Sequence, residues 1–432
     1  METWLKISSL LCIFGFLKEF RPSEPYITPY LMSPRMNFTQ EQISQDIYPV
    51  SIYANMLSLI IVFLVTDLLR YKIVIIADAL SGVFVYCGLI LFKSLFAMQV
   101  VEVFYGLFMA GEVAYYTYIY AKVEKEHFQE VTSHTRSAYL AGRALSGVVS
   151  QIIVYFNIMS YYHLQYLSLG GLLSASVWAM MLPSVKQSVY FHQNTVTQSS
   201  VDLNEPIDAT DSMCRTETRV PLSYAAQHLW SDFTAAFTNA YVVKWAVWWA
   251  LSTCGYWQVL YYIQLLWQTI RKDIGDDEPP MYGIVEAAYT LIGAMASMTI
   301  GKVHLDWTVV GEPVLAVGAF GVAAVLFLMS GTRSMALAYS TYICFTVIYH
   351  TMITVANSEV AKQVNRDSYG LIFGVTTFFA LLLQTGLTYV VNKVYFLPAR
   401  DQFVVYASYY GILGVCFMIV TIISLLLRHR QR

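Results

Sequence analysis

Charge is scarce in this chain. Of its 432 residues only 12% are charged, against 57% hydrophobic, and the mean hydropathy is +0.52. So few charges could not cover the surface of a soluble protein, so the chain reads as an integral membrane protein. Net charge is −2 and no long basic or acidic run occurs, which argues against a nucleic-acid partner. Cysteine is sparse as well. Cys12, Cys87, Cys214, Cys254, Cys344 and Cys416 are scattered, without metal-ligand spacing or the density of a disulfide scaffold, and five of them fall in apolar stretches as small packing residues. P-loop, H-E-x-x-H and G-x-S-x-G patterns are missing, and no acid–base pair or nucleophile arrangement stands out. ATP hydrolysis, hydrolase chemistry and a bound cofactor are therefore not expected.

Long apolar runs are what the chain has instead. About 20 apolar residues cross a bilayer, and twelve stretches qualify. They lie at roughly 5–31, 48–69, 73–92, 96–121, 133–156, 161–183, 240–268, 282–301, 308–330, 335–356, 368–392 and 402–427. The first could pass for a signal peptide. It runs into Lys18-Glu19-Phe20-Arg21 without a small-residue cleavage site, however, and reads as a retained span. Residues 184–239 are the longest polar interval, and their core, Gln193 to Val220, reads as a flexible linker. Residues 1–183 and 240–427 thus form two six-span halves, with 428–432 as a short tail.

The expected fold is all-α: two six-helix bundles with a cavity between them. That is the layout of the major facilitator architecture, in which the bundles rock about a site near the midplane. Singly dispersed polar residues fit a gradient-driven carrier better than a channel filter. Lys and Arg counts place both termini in the cytoplasm. The one N-x-S/T sequon, Asn37-Phe38-Thr39, then falls in the first outside loop, where glycosylation requires it.

The polar residues inside the spans carry the functional signal. Glu112 lies in the middle of an apolar span, where a lone carboxylate costs roughly 2.5–3.5 kcal/mol and normally faces a polar pathway or a partner. Glu102 lies ten residues earlier, about 80° around the helix and about 15 Å along it, so the two could line one broad face at two depths. Tyr105 at i+3 from Glu102 and Tyr116 at i+4 from Glu112 add aromatic faces, which suits a flat organic cation. The alternative is neutralisation by Arg136 or Arg143, seven apart on one face of the fifth span. Arg143, the deeper, is the one expected to touch substrate, and Arg136 to make a structural ion pair.

Asp78, Glu312 and Lys244 sit near span ends and are expected to snorkel toward water, and Glu286 opens the eighth span. His350, the only histidine well inside a span, could relay a proton or simply pack. Asp67 to Lys72, including Arg70, joins the second and third spans and reads as a latch between conformations.

Several motifs then resemble solute carrier family 19, the reduced folate and thiamine transporters. They begin with Arg21-Pro22-Ser23-Glu24-Pro25 and continue through Met98 to Gly106 and Ala114 to Tyr120. The second half adds Trp248-Trp249-Ala250, Gln258 to Trp267, Gly283 to Ala287 and Leu371 to Val375. The resemblance implies that Glu24 and Glu102 hold the aminopyrimidine and charge of thiamine, with Tyr48, Tyr86 and Tyr105 as the aromatic and hydroxyl lining. Folate carriers place an Arg where this chain has Glu112, a Lys at Gln384 and an Arg at Thr346, whereas thiamine members share the Glu at 112. All three differences remove positive charge from the path. Other positions depart from the thiamine pattern: Tyr48 replaces a Phe, Ser51 a Trp, Tyr261 an Asn and Arg143 a Tyr, and Tyr261 is what folate carriers have.

The combined expectation is a plasma-membrane vitamin transporter moving thiamine by alternating access, with Glu112 setting the sign of the substrate. A reduced folate transporter using Arg136 and Arg143 is the alternative within the family, and a non-transporting vitamin sensor or degenerate paralogue the alternative of another class. Glu102, Glu112 and His350 are the groups that could carry a coupled proton.

Overall fold

The computed structural model describes residues 3–68, 71–115, 118, 123, 127–184, 192–194, 217–219, 230–231, 233–276, 278–300, 306–363 and 369–431. Twelve long helices occur among them. The first six are α1 (Thr3–Glu19), α2 (Tyr48–Leu68), α3 (Lys72–Leu91), α4 (Leu95–Ala110), α5 (Phe128–Tyr155) and α6 (Tyr161–Met181). After the polar interval come α7 (Ala240–Ile274), α8 (Tyr282–Ile300), α9 (Trp307–Gly331), α10 (Met335–Gln363), α11 (Tyr369–Tyr389) and α12 (Ala399–Gln431). Within the interval the described residues form one antiparallel pair, His192–Asn194 with Glu217–Arg219. Most of the stretch read as a flexible linker lies outside the described residues, as does Cys214.

Nine of the helices, among the described residues, are by themselves long and apolar enough to cross a bilayer. The shortfall has visible causes in two others. α7 is 35 residues long but spends many positions on Trp, Tyr and Gln. The described part of α1 has 17 residues, about 26 Å at 1.5 Å per residue, short of the roughly 30 Å hydrocarbon core.

The first span was expected to run unbroken over 5–31. It is instead interrupted after Glu19, continuing as a single 3-10 turn at Glu24–Tyr26 and a short helix at Ile27–Leu31. Pro22 and Pro25 explain this, since each lacks the N–H for the helical ladder and disfavours helical geometry in the residue before it. Ser23 holds the break to α6, where its N–H and hydroxyl lie 2.9 and 2.8 Å from Ser168 Oγ.

Within each half the helices pack tightly, α1 against α5 and α6, α2 against α4, α9 against α12, and α7 against α10 and α11. The halves meet mainly along α5 with α8 and α2 with α11. Polar bonds between them gather at the end remote from the linker. Tyr26 Oη donates to Gln151 Oε1 at 2.9 Å and Pro280 O at 3.1 Å and accepts from Gly283 N–H at 3.2 Å. Gln40 Nε2 reaches Thr269 Oγ1 at 2.6 Å, Ser44 Oγ reaches Asn392 Oδ1 at 3.1 Å, and Lys393 pairs with Asp46 at 2.9 Å.

Backbones come close there because Gly283 has no Cβ; one added would sit 2.7 Å from Ser150 Oγ and 2.9 Å from Gln151 N. Gly283→Val is therefore expected to destabilise the closed end by about 1–3 kcal/mol. Thermal melts of the purified protein check this, and an unchanged melting temperature would show that α5 and α8 part at no cost.

Candidate functional site

A cavity lies between the halves and is lined from both. The α1 break supplies Arg21, Glu24 and Pro25, α3 supplies Tyr86, α4 supplies Glu102 and Tyr105, and α5 supplies Tyr139 and Arg143. Tyr48 closes one wall from α2, while Trp257, Tyr261, Gln264 and Trp267 of α7, Glu286 of α8 and Tyr342 of α10 complete the other. Glu24, Glu102, Tyr48, Tyr86, Tyr105, Arg143 and Tyr261, all singled out from the sequence, are thus brought together.

Glu24 is held from several sides. Tyr105 Oη donates to its Oε1 at 2.5 Å, Tyr86 Oη to its Oε2 at 2.8 Å, and Arg21 Nη1 lies 3.3 Å from Oε2. Arg21 in turn grips both oxygens of Glu19 at 3.1 Å. Next to this chain, Lys18 Nζ binds Asp78 Oδ2 at 2.6 Å, with both side chains almost wholly buried. Lys18 and Arg21 also lie over the Phe108 ring, 4.6 and 5.1 Å from its centroid. Such buried charges are tolerated because they alternate in sign and are hydrogen-bonded.

Arg143 is committed too. Its Nε lies 2.6 Å from Glu286 Oε1, which also accepts from Tyr289 Oη at 2.9 Å. It therefore lines the cavity as a paired group rather than as a free cation. Arg136 departs from expectation further, being exposed and making no ion pair with any described residue. Neither arginine neutralises Glu102. Among the described residues no cation pairs with Glu102, and the Ser51 hydroxyl lies beside both it and the Tyr261 hydroxyl.

Glu112 does not line the cavity. The fourth span runs over Leu95–Tyr115 with a turn at Gly111 whose backbone stays in the right-handed helical region, and of the projected pair only Glu102 lines the cavity. The charges that act on Glu112 are those of Lys18, Glu19, Asp78 and Arg143. Tyr116 lies outside the described residues. His350 also stays out of the cavity wall. Its ring meets Tyr256 and Tyr349 edge-on, each centroid 5.5 Å away.

Asp78 and the pair Lys244 and Glu312 were expected to snorkel. Asp78 instead pairs inward with Lys18, and Lys244 and Glu312 bind one another. Asn37 is exposed in the loop after the α1 break, with φ 57°. The side chain of Asp67, and all of Arg70, lie outside the described residues, and the latch reading with them. Gln384 is buried with its Nε2 unpartnered, and Thr346 Oγ1 turns back onto the carbonyl of Tyr342 at 3.0 Å. Of the five described cysteines, Cys344 and Cys416 are exposed rather than packed inside.

The sequence reading missed Arg21 and Gln264 as wall residues. The signal for Arg21 was available, because it stands three residues before Glu24 across a proline break. None existed for Gln264, whose partners are backbone groups of another helix.

Three kinds of similarity bear on this site. The family described as Reduced folate carrier matches residues 2–405. The chain is 35% identical to Folate transporter 1 of Caenorhabditis elegans, covering 98% of this chain and 93% of that one. It is 36% identical to Thiamine transporter 1 of Mus musculus, covering 100% and 92%. Among solved structures, the inward open xylose transporter XylE from E. coli superposes with a TM-score of 0.62 at 12% identity, over 96% of this chain and 95% of that one. The nucleoside transporter NupG superposes with a TM-score of 0.61 at 14% identity, over 96% and 98%. These structural likenesses establish the two-bundle major facilitator fold.

Proposed function

Because the chain belongs to the reduced folate carrier family, we propose that it is a vitamin transporter that moves thiamine, an organic cation, across the plasma membrane by alternating access. The observation that carries this reading is the charge of the cavity wall. Three carboxylates, Glu24, Glu102 and Glu286, face two guanidiniums, Arg21 and Arg143, and each guanidinium already has a carboxylate partner. Glu102 is left to bind an incoming cation, with Tyr48, Tyr105 and Trp257 offering ring faces beside it. In this reading Glu24 orients the substrate through its net negative cluster with Glu19 and Arg21. Glu112 contributes long-range negative potential instead of contact. Both termini lie in the cytoplasm.

The similarity to Folate transporter 1 favours a second reading, reduced folate transport. A folate dianion would have to displace Glu286 from Arg143, which makes it the poorer fit. Uptake of labelled thiamine and labelled methyltetrahydrofolate, measured side by side in cells lacking carriers for both, tests the two. Thiamine uptake alone is expected. Folate uptake alone would mean that Arg143 releases Glu286 for an anion, and would overturn the cation reading.

A further inference from the structure

The α1 break is shared between the two halves in an unequal way. The carboxylate of Glu24 is held by Tyr86 and Tyr105, which both belong to the first half. The backbone around it is held by the second half. Gln264 of α7 donates its Nε2 hydrogen to Glu24 O at 3.1 Å, and its Oε1 accepts from Thr28 N–H, also at 3.1 Å. Thr28 is fully buried, and its N–H is held by the Gln264 side chain. Glu24 O accepts from Ile27 N–H as well, so the two bonds from Gln264 brace a turn that is already closed.

We propose that Gln264 is a positioning residue that couples closure of the end remote from the linker to the aim of the Glu24 carboxylate. The argument rests on what separation of the halves must break. The Gln40 and Asp46 bonds are partly exposed side-chain contacts that water can replace, and the buried bonds of Tyr26 and Ser44 are made by side chains other than the one that carries the carboxylate. The Gln264 bonds end on the buried backbone of the break, so parting the halves there takes a partner from both Thr28 N–H and Glu24 O unless the break itself shifts. That shift moves the residue bearing the carboxylate. Closure therefore favours one orientation of Glu24, and by reciprocity a ligand held by Glu24 in that orientation favours closure.

The proposal rests on the transport reading, so its test has one readout that needs no substrate. Gln264→Met keeps the bulk of the side chain and removes both bonds. Gln264→Glu keeps the acceptor for Thr28 N–H but turns a second acceptor toward Glu24 O. In a Ser44→Cys background whose six native cysteines are replaced by alanine, each variant is expected to react about tenfold faster with a thiol reagent applied to the purified carrier, the loss of hydrogen bonds on a buried backbone being worth about one factor of ten. Both are also expected to raise the half-saturating thiamine concentration about tenfold while the maximal rate per surface copy falls less.

Unchanged thiol labelling in the Ser44→Cys background together with weakened uptake would make Gln264 a simple substrate contact and overturn the coupling. Unchanged labelling and uptake together would overturn it as well. Faster labelling in a carrier whose parent chain takes up no thiamine would support the coupling while defeating the thiamine reading.

Discussion

Glu102→Gln is expected to lower thiamine uptake by about a hundredfold or more without reducing the amount of protein at the cell surface. The carboxylate has no cationic partner among the described residues, so its removal strands no charge and relieves a burial cost. What is lost is a charge-assisted bond to the substrate in a cavity that excludes much of the solvent, about 3 kcal/mol, or about two factors of ten. Glu24→Gln offers the contrast. It would leave Arg21 with half its counter-charge, so a fall in surface protein is expected there along with the fall in uptake. Uptake divided by surface copies, measured for both variants, separates recognition from folding. Full uptake by Glu102→Gln would remove Glu102 from the substrate site.

Lys18→Met should be the most damaging single change to stability. Asp78 has no exposed side-chain surface, and its Oδ1 already lacks a partner. Taking away the cation leaves a buried carboxylate uncompensated, which costs about 3–5 kcal/mol. The double change Lys18→Met with Asp78→Leu replaces the pair by apolar groups, and most of the loss should return, since buried pairs add little net stability over hydrophobic packing. Melting temperatures of the two single variants and the double variant form a cycle that reads the coupling directly. If Lys18→Met alone melts like the parent chain, the pair is not what holds the end of α1.

Much of the architecture was legible because apolar length is a one-dimensional property. Each of the twelve helices overlaps one of the stretches chosen for hydrophobicity, and the helices that outrun them, such as α7 and α12, do so with polar ends that a hydropathy window trims. The break in the first span was written in Pro22 and Pro25 but was outvoted by the apolar residues on both sides. Charge partners were less legible. Arg143 could be given a depth from its sequence position, but only the packing of α5 on α8 brings Glu286 to it. Lys18 and Asp78 are sixty residues apart on different helices, and nothing in either segment names the other. Glu102 and Glu112 stay on one continuous helix, but the roughly 80° between them puts only Glu102 on the cavity wall.

The placing of α1's partners bears on the order in which the first span is completed. α1 ends on Lys18 and Glu19, charges that a bilayer does not hold cheaply without partners. The partner that neutralises Lys18 is on α3, and the serine that anchors the break is on α6, so both are synthesised only later. The opening segment must therefore wait in an unfinished position until its successors arrive. Glu24, just past α1, is thus translated before the helices that set it in place.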